Sequence, residues 1–188
     1  MTTHPQVATT APASLSDAFK GLVARLNGPL HTRALIVFTA ITLAHWVEHL
    51  FQAFQIWVLG WPRAEANGAL GAVWPWLVRT EYLHYTYAIV MLAALILLRP
   101  GFHGSARTWW TIALYLQVWH HFEHLLLLGQ AVASHPLFGE SKPTSIVQLI
   151  FPRVELHLFY NAVVFVPMVV AMCHQYLVPA AVGRPTTQ

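Results

Sequence analysis

Apolar residues run through this chain in blocks too long for a soluble helix. Four blocks, about 34–60, 77–98, 108–130 and 153–178, are each predominantly apolar over the roughly 20 residues that a helix needs to cross a bilayer. Short connections rich in Pro, Gly and charged residues separate them, as in "WPRAEANG" and "GESKPTS". The pattern predicts an all-α membrane protein, a four-transmembrane-helix bundle. Ahead of it, residues 1–33 read as a polar tail with a short amphipathic segment over about 16–26, where Ser16 can act as N-cap. The first apolar block starts too late and runs too long for a cleavable signal. Residues 34–98 hold one pair of helices, 99–107 a loop, 108–178 a second pair and 179–188 a C-terminal tail.

The polar interruptions of these blocks recur in order. "HWVEHL" in the first block, with His45, Glu48 and His49, matches "HHFEHL" in the third, with His120, Glu123 and His124. "RTEYLHYTY" in the second, with Arg79, Glu81, His84 and Tyr87, matches "PRVELHLFY" in the fourth, with Arg153, Glu155, His157 and Tyr160. Positions 45 and 120 differ by 75, and positions 84 and 157 by 73. Two crossings per unit send both units into the membrane in the same direction. The expectation is two tandem two-helix repeats related by a parallel pseudo-two-fold along the membrane normal. With a rise of about 1.5 Å per residue, all four motifs reach overlapping levels in the outer half of the bundle. One shared polar site is the economical reading.

Helical spacing says which of these residues can act together. Positions i, i+3, i+4 and i+7 share a face, which aligns His45, Glu48, His49 and Gln52. Gln117, His120 or His121, and His124 align in the same way, with Glu123 beside them. Glu81 and His84 form a Glu-x-x-His pair able to reach one ion. Glu155 and His157 are two apart, about 200° around a helix. They share an ion only if the helix starts irregularly after Pro152; otherwise His157 lines up with Arg153, Tyr160 and Asn161.

A charge at the centre of a membrane helix costs about 2.5–3.5 kcal/mol or more. Arg79 and Arg153 can neutralise Glu81 and Glu155 within their own helices. Glu48 and Glu123 have no basic partner at their depth other than histidine or a bound cation, and this points to metal. The expected ligands are His45, Glu48, His49, Glu81, His84, His120, Glu123, His124 and His157. Arg79, Arg153, Gln52, His121, Glu155, Tyr160 and Asn161 would supply supporting hydrogen bonds or charge. Imidazole with carboxylate and no thiolate suits a divalent metal such as iron or zinc.

The order of acidic and histidine positions resembles the ligand plan of ferritin-like di-iron proteins, which takes one Glu from each of two helices and Glu-x-x-His from two others. The shortened fourth motif and the additional histidines depart from that plan. The His-x-x-x-His spacings are similar in part to the histidine boxes of membrane-bound hydroxylases and desaturases. "HWVEH" also fits the inverted zinc-peptidase pattern, a short match in a chain with 12 histidines.

Composition fixes the setting. Only 9% of the 188 residues are charged, where a soluble domain carries about 25%, and the mean hydropathy is +0.52. Basic residues are scattered singly, which excludes nucleic acid as a partner. Lys20, Arg25, Arg33, Arg99, Arg107 and Arg184 fall on one side of the predicted bundle, and Arg63, Arg79, Lys142 and Arg153 on the other. That bias predicts a multi-pass protein integral to the lipid bilayer with both termini cytoplasmic. The lone Cys173 excludes an internal disulfide.

The functional expectation is a His/Glu mono- or dinuclear metal site that oxidises or hydrolyses a membrane-borne small molecule. As an enzyme it would be a metal-dependent oxidoreductase or hydrolase. Two alternatives stay open. One is a metal-ion transporter or sensor; the other is a b-type cytochrome. In the latter, His45 or His49 would pair with His120 or His124 about a haem b, and His84 with His157 about another. Substrate, and association of two copies as a homo-oligomer, are also left open.

Overall fold

The computed structural model describes residues 14–177, and among them all regular structure is helical. In chain order the helices are α1 (Leu15–Leu26), α2 (His31–Trp57), α3 (Gly68–Val73), α4 (Pro75–Val78), α5 (Glu81–Leu98), α6 (Gly104–Ala133) and α7 (Arg153–Tyr176). Single 3-10 turns sit at Arg99–Gly101 and Val147–Leu149. The first 13 residues of the expected N-terminal tail and all of the expected C-terminal tail lie outside the described residues.

The amphipathic segment forms, but its cap is Ser14 rather than Ser16. The Ser14 hydroxyl accepts from the Asp17 backbone N–H at 3.2 Å, and Ser16 falls inside the first turn. Asp17 in that turn and Arg25 in the last complement the helix dipole. Asn27 ends α1 and ties it down. Its amide donates to the carbonyls of Val23 (2.8 Å) and Leu97 (2.7 Å), and its oxygen accepts from Gly101 N–H.

Three helices are long and apolar enough to cross a membrane: α2, α5 with its following turn, and α7. α6, expected as a further span, is longer than any of them at 30 residues but falls short in apolarity. The reason is the polar run through its middle, Gln117, His120, His121, Glu123 and His124. Nearly all of that polarity faces inward. Gln117, His120, Glu123, His124 and Gln130 are buried, while Ile112, Tyr115, Val118, Phe122 and Leu125 are exposed. α2 has the same inverted dress: His49 and Gln52 are buried, and Val47, Leu50, Phe51 and Phe54 exposed.

The four long helices contact one another in the ring order α2, α5, α6, α7, and α6 packs most extensively on its two neighbours. The half near α1 is closed by Leu35, Phe38, Met91, Leu95, Phe102, Ala106, Trp110, Val164 and Met168. It also deals with the carbonyls that the end of α5 leaves without helical partners. The Trp110 indole donates to Leu95 C=O at 2.8 Å, Asn27 to Leu97 C=O, and the His31 ring to Leu98 C=O at 3.2 Å. His31 is thus a buried structural donor whose other nitrogen accepts from the Tyr176 hydroxyl at 3.0 Å.

Candidate functional site

Beyond the apolar half, six histidines from all four long helices come together. His45 and His49 are one turn apart on α2 with ring centroids 4.5 Å apart, and His120 and His124 on α6 repeat that arrangement at 4.6 Å. His157 of α7 lies among them, 4.9 Å from His49, 5.1 Å from His124, 5.7 Å from His120 and 6.0 Å from His84. His84 of α5 closes the group at 6.1 Å from His124. Each i, i+4 pair carries a tyrosine on its first ring: Tyr87 stacks on His45 at 3.6 Å, and Tyr160 lies against His120 at 4.4 Å.

Hydrogen bonds fix the tautomers of three of these rings. His84 donates from Nδ1 to Thr80 C=O at 3.0 Å, and His157 from Nδ1 to Arg153 C=O at 2.7 Å. His49 donates from Nδ1 to the Gln52 amide oxygen at 2.7 Å. A neutral imidazole holds one proton, so Nε2 of each ring keeps its lone pair. Nε2 of His49 accepts from Nε2 of His45 at 3.1 Å. Nε2 of His157 is buried with no partner, as are Nδ1 of His120 and of His124.

The carboxylates are engaged elsewhere. Both oxygens of Glu48 accept from Leu70 N–H, at 2.9 and 3.0 Å, and an oxygen of Glu123 accepts from Val147 N–H at 2.9 Å. Arg153 grips Glu81 with two parallel bonds of 2.6 Å. Glu155 pairs with Arg63 at 2.5 Å, and Arg79 donates to the Asn67 side chain at 3.4 Å. The expected ion pairs within one helix do not form: Arg153 and Glu155 are two apart on α7 and do not face each other, and Arg79 lies before α5, outside the helix that holds Glu81. α7 starts regularly at Arg153, so Glu155 points away from His157. His121 packs on Tyr85 at 5.3 Å, apart from the six, and the Asn161 amide nitrogen is buried without a partner.

Residues that the sequence motifs left out hold the connections at this end. Gln55 accepts from Gly68 N–H and donates to Gly68 C=O. Gln130 accepts from the N–H groups of Thr144 and Leu137 and donates to Thr144 C=O. Positions 55 and 130 differ by the same 75 that separates His45 from His120, a signal present in the sequence.

Two cavities reach the histidines. One, of about 470 Å³, opens among the connections at this end, carries Arg63, Arg79, Lys142 and Arg153, and touches His49, His84 and His157. The other, of about 400 Å³, lies between α2 and α5 and touches His45, His49 and His84. Among the described residues, no three or more His, Cys, Asp or Glu side chains have their donor atoms already disposed around one point as a metal requires.

No protein-family model matches the chain, and no curated protein or solved structure is significantly similar to it.

Proposed function

We propose an integral membrane metalloprotein, a four-span bundle of two related two-helix halves with a mono- or dinuclear metal centre on histidines, acting on a membrane-borne small molecule. The observation that carries this reading is the set of three imidazoles, His49, His84 and His157, whose Nδ1 protons are each committed to a fixed acceptor. That arrangement orients a metal-ligating histidine and leaves Nε2 for the ion. The 3.1 Å between Nε2 of His45 and Nε2 of His49 also suits two ligands on one ion. At metal–nitrogen bonds of about 2.05 Å it corresponds to an angle of about 98°. Binding requires some rings to turn, since no three donors yet surround one point.

With the glutamates held by backbone N–H groups and arginines, the centre we favour is rich in imidazole, and carboxylate bridging has no support from their positions. Imidazole suits iron, zinc or copper(II). Zinc would supply a Lewis acid, iron or copper electron transfer.

Four spans are favoured by α6, which hides its polar side chains and exposes apolar ones. The halves are favoured by contacts that occur twice: His pair with tyrosine, glutamate with backbone N–H, and glutamine with the following connection. Haem is disfavoured by rings from different helices packed 4.9–6.1 Å apart, which leave no slot for a macrocycle. Transport is disfavoured by the apolar plug around Phe38, Leu95 and Trp110.

The test is elemental analysis and an absorption spectrum of detergent-purified protein, beside His49→Ala and His157→Ala. The expected result is stoichiometric metal without a Soret band, lost in both variants. A Soret band, or wild-type protein without metal, would overturn the reading.

A further inference from the structure

The two halves differ at one position that decides access to the histidines. Trp119 precedes His120 on α6; at the matching position on α2, Ala44 precedes His45. The Trp119 indole donates to the Tyr160 hydroxyl at 2.8 Å across the seam between α6 and α7. Ala44 cannot span the corresponding seam between α2 and α5, and the cavity of about 400 Å³ lies there. His45 is accordingly half-buried where His120 is buried.

The walls of this cavity are Ile41, Ala44, Leu70, Val78, Leu83 and Tyr87, and its polar groups are His45, His49, His84, Gln52 and Glu48. Ile41 and Ala44 are themselves exposed on the apolar outer face of α2. The opening therefore faces whatever covers that face, which in a membrane is lipid. A volume of about 400 Å³ falls within the range of small-molecule sites.

Charge narrows the occupant. Glu48 is the sole charged lining residue of this cavity, and its oxygens are taken by Leu70 N–H. Every cationic side chain near the histidines lines the other cavity instead. A phosphate-bearing lipid head would find no counter-charge between α2 and α5. Nδ1 of His45, whose Nε2 alone is bonded within the protein, and the Gln52 amide N–H can exchange hydrogen bonds with neutral hydroxyls, and the apolar walls suit a ring or chain.

We propose that the seam between α2 and α5 is a lateral binding site for a neutral, hydroxyl-bearing, membrane-dissolved molecule of the quinol class, its hydroxyls directed at Nδ1 of His45 and the Gln52 amide. This rests on the proposed metal centre for its chemistry but not for its binding.

The experiment measures decylubiquinol binding, under anaerobic conditions, to protein in nanodiscs against empty nanodiscs, with metal content determined on the same samples. Wild type should bind one equivalent. Ala44→Trp, which copies Trp119, should retain metal and bind at least ~10-fold more weakly. Ala44→Leu should fall between, and guards against a fold defect in the larger substitution. Trp119→Ala should admit a second equivalent.

Wild-type binding that Ala44→Trp and Ala44→Leu leave unchanged would overturn the site. So would absence of binding to metal-loaded protein, and displacement of decylubiquinol by lysophosphatidate would overturn the neutral class. Binding by a metal-free wild type, lost in Ala44→Trp, would keep the site and remove the metal reading alone.

Discussion

Glu48 and Glu123 stand at matching positions on α2 and α6, and each carboxylate accepts from the backbone N–H of the connection that follows its own helix. A carboxylate inside an apolar helix had looked like a ligand in want of a cation; here backbone donors meet its charge. Hydrogen bonds to a charged group contribute roughly 1.5–3 kcal/mol. Glu48→Gln and Glu123→Gln should each lower thermal stability in detergent by an amount of that order and leave metal content unchanged. Loss of metal in these variants, equal to that of His157→Ala, would return the carboxylates to the centre.

Gly68 is coupled to the same carboxylate. Its φ of 75° is one that side chains rarely adopt, and a Cβ there would collide with the Glu48 carboxylate. Gly68→Ala should therefore destabilise by roughly 1–3 kcal/mol. Glu48→Ala removes the colliding group, so Gly68→Ala should cost less in that background. A coupling of about 0.5 kcal/mol or more is the expected result of the double-mutant cycle. Strict additivity would mean that the collision is not what makes glycine necessary.

Arg153 and Glu81 join α7 to α5 through a bidentate pair in which Glu81 is largely buried and Arg153 partly exposed, at 9% and 37%. Removing one partner of a buried pair costs about 3–5 kcal/mol, and exposure of the guanidinium lowers that figure. We expect roughly 2–4 kcal/mol for Arg153→Met, read as thermal stability. Glu81→Leu in the same chain should recover much of the loss, because no uncompensated carboxylate remains. Arg153→Lys should rescue poorly, since an ammonium cannot reproduce the fork. A fully stable Arg153→Met would show the pair to be incidental.

The helices and the meeting of the histidines were legible because both rest on local pattern. Apolar runs announce long helices, and His at i, i+4 announces a shared face. The destinations of the charged groups were not legible in the same way. Glu48 and Glu123 bind backbone in connections more than twenty residues away, Gln130 binds it seven and fourteen residues away, and no periodicity records which N–H is free there. Arg153 reaches Glu81 across the bundle, a choice that depends on helix packing rather than on spacing. The offset of 75 that links Gln55 to Gln130 and Ala44 to Trp119 was available, but it becomes informative only once the contacts reveal what each residue does.

α6 decides how many times the chain crosses. Its inward-facing histidines and glutamate cost little in lipid if the other helices surround them, and its exposed side is apolar. Ser105 lies near its start and Glu140 just beyond its end. If α6 spans the bilayer, these two positions face opposite sides, and the excess of Lys and Arg near α1 would put Ser105 in the cytoplasm. Ser105→Cys and Glu140→Cys, each made in a Cys173→Ser background, should then react with a membrane-impermeant maleimide from opposite faces. Glu140→Cys should label in right-side-out vesicles, and Ser105→Cys in inverted ones. Labelling of both from one side would leave α6 on the surface of the membrane. The six histidines could then not share a level inside it, and the proposed centre would fail with the topology.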